Sequence, residues 1–311
     1  MAVISWVLYY WGFGSSSGNV SAFTHALGET SEILFFLLGA MVIVEVVDTN
    51  GGFDFFREKL ISKTKVALLW KLTLCTFFLS AVLDNMTTAI IMVMILDKLV
   101  SDKKDKMLYA SMVILAANSG GAFSPIGDVT TIMLWVKGHI STFGVIRSLF
   151  LPSLVSVILP AVIVSFFLKG KLSVPRRTME HLTVNHGTVS ATHYGAGLPL
   201  TKRESILIFC IGVGGLLFVP VFRFVAGCMG MYDVVASGPD IALYGIDGTF
   251  WELLAYTGGI GGSMLIIGSA AGVVVMGLQK ISFTWYLRHF SWIACLGFLA
   301  GIIAYWIQGI L

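Results

Sequence analysis

Along most of this chain, long apolar runs alternate with short polar segments, and two of the runs are broken by glycine. Apolar stretches lie at 2–13, 31–48, 66–83, 86–100, 141–168, 204–222 and 290–310, while 107–136 and 250–279 are apolar but interrupted. A helix crosses the hydrocarbon core of a bilayer with ~20 apolar residues. The pattern therefore predicts an all-α membrane protein, with 2–13 short for a full crossing. The pair 66–83 and 86–100 is also short, and Asp84-Asn85 stands at the turn between its two arms. In 107–136 the polar residues Asn118, Ser119, Ser124, Asp128, Thr130 and Thr131 gather around Gly120, Gly121, Pro125 and Gly127.

Composition agrees with the pattern. Of 311 residues, 57% are hydrophobic and 12% charged, and the mean hydropathy is +0.89. Soluble domains carry about 25% charged residues, so a water-soluble enzyme or a nucleic-acid-binding protein is excluded. The first 13 residues have no basic start and no small-residue cleavage site, and read as a membrane segment. Cys75, Cys210, Cys228 and Cys295 lie far apart in apolar sequence, without metal or redox spacing. Three of the six histidines, His181, His186 and His193, fall in the polar loop 170–203 and fit no metal motif.

Charge placement orients the runs. Arg57, Lys59, Lys63 and Lys65 form one basic group, and Lys98, Lys103, Lys104 and Lys106 a second. Lys169, Lys171, Arg176, Arg177, Lys202 and Arg203 flank or occupy the loop 170–203, whereas 14–30 has no Lys or Arg. The positive-inside rule places 14–30 outside and the basic groups in the cytoplasm. The segment 66–100 then starts and ends on one side, which favours a re-entrant hairpin with Asp84-Asn85 at its tip. Glu29, Glu32, Glu45 and Asp48 fall at the ends of 31–48 and read as interfacial.

A shift of 141 residues overlays Gly120-Gly121 on Gly261-Gly262, Ile126-Gly127 on Ile267-Gly268, Ile140-Ser141 on Ile281-Ser282, and Arg147 on Arg288. The first interrupted helix leaves the basic 98–106 group, and the second runs toward Lys280 and Arg288. Together these describe an inverted-topology repeat with both broken helices at matching points. The first repeat is 1–169, with hairpin 66–100 and broken helix 107–136. The loop 170–203 follows, and 204–311 is a partial second repeat with broken helix 250–279.

Breaks at membrane depth free backbone carbonyls and amides that lipid cannot satisfy, so they survive only against protein or a wet cavity. Unwound carbonyls beside Asn118, Ser119, Ser124 and Asp128 make an oxygen-rich cage suited to a small hard cation. A carboxylate at a helix centre costs about 2.5–3.5 kcal/mol on insertion scales. Binding either a proton or a cation relieves that cost at Asp84 or Asp128, and competition between the two is antiport in its simplest form. Ser80 lies one helical turn before Asp84, and Thr130 and Thr131 follow Asp128. An isolated intramembrane Asp or Asn can instead serve only to bond a neighbouring helix, and Thr87 and Thr88 can merely cap the second hairpin arm. Gly258-Gly259-Ile-Gly261-Gly262 follows no strand and is no nucleotide-binding turn. An intramembrane aspartyl protease is also excluded. Tyr232-Asp233 and Ile126-Gly127-Asp128 stand in the reverse of that order, and position 125 is Pro.

The residues Ser80-Ala-Val-Leu-Asp84-Asn85-Met-Thr-Thr-Ala, Ala117-Asn118-Ser-Gly-Gly-Ala-Phe-Ser-Pro-Ile-Gly-Asp128-Val-Thr-Thr and Gly258-Gly-Ile-Gly-Gly-Ser263-Met-Leu-Ile-Ile-Gly-Ser269 resemble the NhaD-type sodium/proton antiporters of the ion-transporter superfamily. The likeness extends over most of the chain. It implies an inverted-repeat fold, and an ion site of Ser80, Asp84, Asn85, Asn118, Asp128, Thr130 and Thr131, with Ser263 and Ser269 from the second half. It also implies sodium or lithium exchanged for protons without a cofactor, in a bacterial-type inner membrane or organelle envelope. A homodimer follows by analogy with the family.

The second repeat departs from the family. About 76 residues separate Ser31 from Met107, but only 44 run from Glu204 to Asp247. Val219-Pro-Val-Phe-Arg-Phe-Val-Ala-Gly227 stands where the family has a second Asp-Asn tip, and the 141-residue shift puts Val225-Ala226 opposite Asp84-Asn85. The second repeat is thus expected to lack most of its hairpin. Two other functions fit the same architecture: a sodium-coupled carrier of dicarboxylates or oxyanions, and a truncated remnant that transports nothing.

Overall fold

The structure, a computed structural model, describes residues 60–168 and 243–310, together with residues 31, 38–39, 42–43, 46–47, 170, 172, 203–204, 206–208, 210–212 and 214. The expected span 2–13, most of 31–48, of 204–222 and of the loop 170–203, and the shortened stretch 219–227 lie outside the described residues. The chain forms two compact units, 1–42 and 43–311. In the first, Ser31, Leu38, Gly39 and Val42 are helical. The second holds every element below, and among the described residues it is all-α apart from an isolated bridge at Thr64.

Nine helices follow in the two main described stretches: α1 Lys65–Ser80, α2 Asn85–Leu99, α3 Lys103–Ala122, α4 Val129–Val136, α5 Thr142–Phe167, α6 Thr249–Gly261, α7 Ala270–Gln279, α8 Phe283–His289 and α9 Ser291–Ile310. A short 3₁₀ turn, Ile266–Gly268, precedes α7. Polar residues in this apolar sequence mark where helices start. Thr64, Asp84, Asp102, Asp128, Ser141, Ser269 and Ser282 each accept a backbone N–H of the first turn, which offsets donors no helix can satisfy internally.

α3 is the axis of the bundle. From Tyr109 to Ala122 every residue is buried, as expected for a helix apolar on all sides. It packs against α1, α2, α5, α6 and α7. Gly120 lets α1 approach closely, since a Cβ there would lie 2.1 Å from Phe77 O. α5 and α9, of 26 and 20 residues, are long and apolar enough to cross a membrane. They pack on one another through Gly297 and Gly301, whose added Cβ atoms would meet Ser156 O at 2.3 Å and Pro152 O at 2.7 Å. Small residues spaced four apart admit this approach. The outer surface carries Phe143, Phe166, Ile267, Ile303, Trp306 and Ile307, all more than half exposed. So much exposed apolar area suits lipid and not water.

The 141-residue offset reappears in the elements. α4 begins at Val129 and α7 at Ala270; α5 begins at Thr142 and α8 at Phe283. Their caps, Asp128 and Ser269, then Ser141 and Ser282, obey the same offset. The backbone crossings repeat too. A Cβ at Gly121 would lie 2.4 Å from Gly127 O, and one at Gly262 would lie 2.7 Å from Gly268 O. One difference is that α5 runs unbroken, whereas its counterpart is divided at Phe290 into α8 and α9.

Candidate functional site

The tip of the α1–α2 hairpin meets the break between α3 and α4. Asn85 N donates to Gly127 O at 3.1 Å, and a Cβ on Gly127 would lie 2.5 Å from Ser80 O. Ser124 N donates to Gly121 O and Gly127 N to Ser124 O, so the unwound segment 123–128 closes most of its own backbone bonds. The hydroxyl of Ser124 donates to Ala81 O in the hairpin turn.

Five side chains join at this junction. Asn85 Nδ2 donates to Asp128 Oδ1 at 2.6 Å and to Asn118 Oδ1 at 3.1 Å. Asn118 Nδ2 in turn donates to Ser263 Oγ and to Ser269 Oγ, both at 2.9 Å. Asn118 and Ser263 are fully buried, and Asn85 and Asp128 are each 6% exposed. Asp128 Oδ2 accepts Thr130 N at 3.0 Å. Among the described residues no cationic side chain pairs with Asp128. Gly258 and Gly259 of α6 pack here without side chains. A Cβ on Gly258 would meet Thr130 Cγ2 at 2.7 Å, and one on Gly259 would lie 3.7 Å from Asp128 Oδ2.

The sequence-expected residues separate into two groups. Asn85, Asn118, Asp128, Ser263 and Ser269 form one connected hydrogen-bonded set drawn from both repeats, with Thr130 against it. Ser80 gives its hydroxyl to Ala117 O at 2.6 Å, and Thr131 gives its own to Ala122 O at 3.2 Å. Asp84 turns onto its own helix: Oδ1 accepts Thr87 N at 2.8 Å and Oδ2 accepts the Thr87 hydroxyl. It is half-buried, and the cap of α2 is thus Asp84, with Thr87 as the donor.

Two contacts join the far ends. Asp97, next to the end of α2, accepts Lys106 Nζ at 2.8 Å and Gln279 Nε2 at 2.9 Å. At the opposite end of α3–α4, Asp247 takes both Ser141 N and Ser141 Oγ at 2.6 Å, and Asp247 N donates to His139 O. His139 also stacks on Trp251, ring centres 4.0 Å apart. The start of α3 and the end of α7 therefore share one end of the bundle, and the end of α4 and the start of α6 share the other.

Sequence reasoning passed over Glu252. It lies one turn into α6, is 7% exposed, and accepts the hydroxyls of Ser148 and Tyr305. Its signal was present: an acid inside the apolar run 250–279. Tyr286, fully buried, donates to Ser263 O at 2.7 Å and steadies the second break.

Residues 13–232 match the citrate transporter family (CitMHS). Sodium/proton antiporter 1 of Arabidopsis thaliana is 33% identical over 98% of this chain and 66% of its own length. Sodium/proton antiporter 2 of the same plant is 32% identical over 90% of this chain and 86% of its own length. The Na(+)/H(+) antiporter NhaD of Vibrio cholerae is 27% identical over 93% and 81%. The first of these matches runs over 407 positions against the 311 residues here, so at least 96 of its positions face a gap in this chain. A family match over more than half the chain, together with a relative 32% identical over 86% of its own length, places the protein: it belongs to the citrate transporter family and, within it, to the NhaD type.

Proposed function

We propose that this chain exchanges sodium, or lithium, for protons across a membrane, with Asp128 as the group that holds either ion. The observation that carries this is the position of Asp128: buried, in the break of a helix, without a cationic partner among the described residues, and bonded through Asn85 and Asn118 to both repeats. A carboxylate kept there needs a proton or a cation. The oxygens of Asp128, Asn118, Ser263 and Ser269 supply hard ligands for a small cation. When the cation leaves, a proton on Asp128 replaces its charge. Two of the relatives are named sodium/proton antiporters and a third Na(+)/H(+) antiporter, which supports the same reading. An anion carrier is less well served, because the only charge among the connected side chains is negative.

The arrangement in the membrane follows the same reading. The 65–99 hairpin enters and leaves at one side, and α3–α4 and α6–α7 are inverted copies. The contacts of Asp97 with Gln279 and of Asp247 with Ser141 support this, because they place equivalent ends of the two copies at opposite ends of the bundle. This reading puts the gap against the relatives in the second copy, between the loop 170–203 and α6. Ser80, Asp84 and Thr131 line the site through the backbone segments they hold.

Everted vesicles carrying the protein test the reading. Sodium or lithium addition releases protons from wild-type vesicles, and Asp128→Asn vesicles stay silent. A silent wild type, shown to be inserted and folded, overturns it.

A further inference from the structure

Glu252 stands apart from the Asp128 site and is held by neutral donors alone. Ser148 on α5 and Tyr305 on α9 donate to its two carboxylate oxygens, and no cationic side chain among the described residues is paired with it. It borders a cavity of ≈ 400 Å³ lined also by Arg147, Ser148, Thr249, Tyr305 and Gln308. With about 30 Å³ of liquid volume per water, several waters fit. Gln308 Nε2 donates to Arg147 O at 2.9 Å, yet Gln308 Oε1 is buried with no hydrogen-bond partner. A buried acceptor without a donor, in a polar space of this size, marks a place for water.

Polar groups continue inward from Glu252. Tyr256 follows on the same face of α6, one turn on, where side chains stand about 5–6 Å apart. Its hydroxyl donates to Phe298 O at 2.8 Å and interacts with Ser156. Gly301 makes the room, since a Cβ there would lie 1.9 Å from that hydroxyl. Ser156 Oγ lies 3.0 Å from Ser119 Oγ, beside Asn118. Ser153, fully buried one turn away on α5, has a hydroxyl with no partner. Hydroxyls both donate and accept, so such a row can pass a proton while its members stay in place. A cation has no such route through it.

We propose that Glu252 is the entry group of a proton relay, through Tyr256, Ser156 and Ser119, that serves the Asp128 site. A hydronium ion in the cavity gives its proton to the Glu252 carboxylate and is left as water. The acid passes that proton to the row, where each hydroxyl accepts one proton on oxygen and releases another. The row ends at Ser119, which adjoins Asn118 of the network bonded to Asp128; the Asp128 carboxylate takes up the proton, and Glu252 is again ionised. Among the described residues, the charged and titratable groups around the cavity at Glu252 are Arg147 from α5 and Tyr305 from α9, and Tyr256 stands one turn on along α6 itself. The proposal rests on the reading of Asp128 as the exchanging group.

The test mixes purified protein rapidly with sodium in weak buffer and follows released protons with a pH dye. Wild type is expected to release protons, and Asp128→Asn none. Glu252→Gln is expected to reach the wild-type amplitude about tenfold more slowly, with a flattened pH dependence, while binding sodium-22 as tightly as wild type. Glu252→Asp recovers much of the rate, and Ser156→Ala slows it several-fold. Glu252→Gln release at wild-type speed with the wild-type pH profile overturns the relay and leaves exchange at Asp128 intact. Loss of sodium binding in that variant also overturns it, by making Glu252 part of the cation site. No release from wild type overturns both the relay and the exchange.

Discussion

Asn118 and Ser263 lie 145 residues apart in sequence, and a 2.9 Å hydrogen bond joins them at the centre of the molecule. The same amide reaches Ser269, so the first break is tied to the second through one side chain. Breaking a buried bond and stranding its partners costs about 1–3 kcal/mol. Asn118→Ala should therefore reduce sodium-dependent proton release at least tenfold, while Ser263→Ala, which leaves Ser269 in place, loses less. Initial rates in everted vesicles at matched protein levels check the order.

Asp128→Asn separates charge from shape. The amide oxygen can still accept Thr130 N, so α4 keeps its cap. The charge is gone, and with it the competition between proton and cation. Exchange should fall to background while the purified protein stays folded, with a melting temperature a few degrees lower because the new amide nitrogen faces the Asn85 Nδ2 donor. A variant that unfolds would instead place Asp128 among the structural residues.

Glycines at equivalent positions of the two repeats should respond differently. Gly120→Ala puts a methyl group 2.1 Å from Phe77 O, whereas at Gly261 the nearest atom, on Phe298, is 3.7 Å away. Overpacking against a fixed backbone costs about 1–3 kcal/mol. Gly120→Ala should lower the melting temperature by several degrees, and Gly261→Ala should leave it unchanged. Thermal unfolding in detergent compares them directly.

Asp102 predicts a pH effect at the basic end. The backbone N–H of Asp105, and after it that of Lys104, holds its carboxyl below the usual carboxylate range. A depressed acid stabilises the folded state above its unfolded value, near 3.9, and loses that contribution as pH falls through the lower folded value. Asp102→Asn should remove this part of the acid sensitivity by lowering stability slightly at pH 7 and leaving it unchanged at the acid end. Melting temperatures between pH 3 and 7 check the difference in slope.

Much of this arrangement is legible in the chain because polar residues stand out against apolar sequence. The hairpin turn at Asp84-Asn85, both breaks and the starts of α4 and α7 all fall where hydroxyl, acid or glycine residues interrupt the runs. What the side chains then bond to is less legible. Asp84 and Asn85 are adjacent and look alike in sequence. Helix geometry turns the first onto Thr87 and leaves the second facing Asn118 and Asp128. Ser80 and Thr131 look like ligands but bond to carbonyls of α3, a choice made by how closely α1 and α4 approach it. Glu252 escaped because its meaning comes from Ser148 and Tyr305, each far away in sequence. The division at Phe290 has no glycine or proline to announce it.

The offset that superposes the repeats places Ser269 opposite Asp128 and Gly259 opposite Asn118. Among the described residues, two copies thus build a connected set of side chains with a single acid, where a symmetric pair would have brought two. Paired acids titrate in coupled steps, each altering the next. A lone acid takes up its proton with a Hill slope of one, spread over about two pH units. Under the exchange proposed at Asp128, transport would accordingly rise gradually with pH, and not at a threshold.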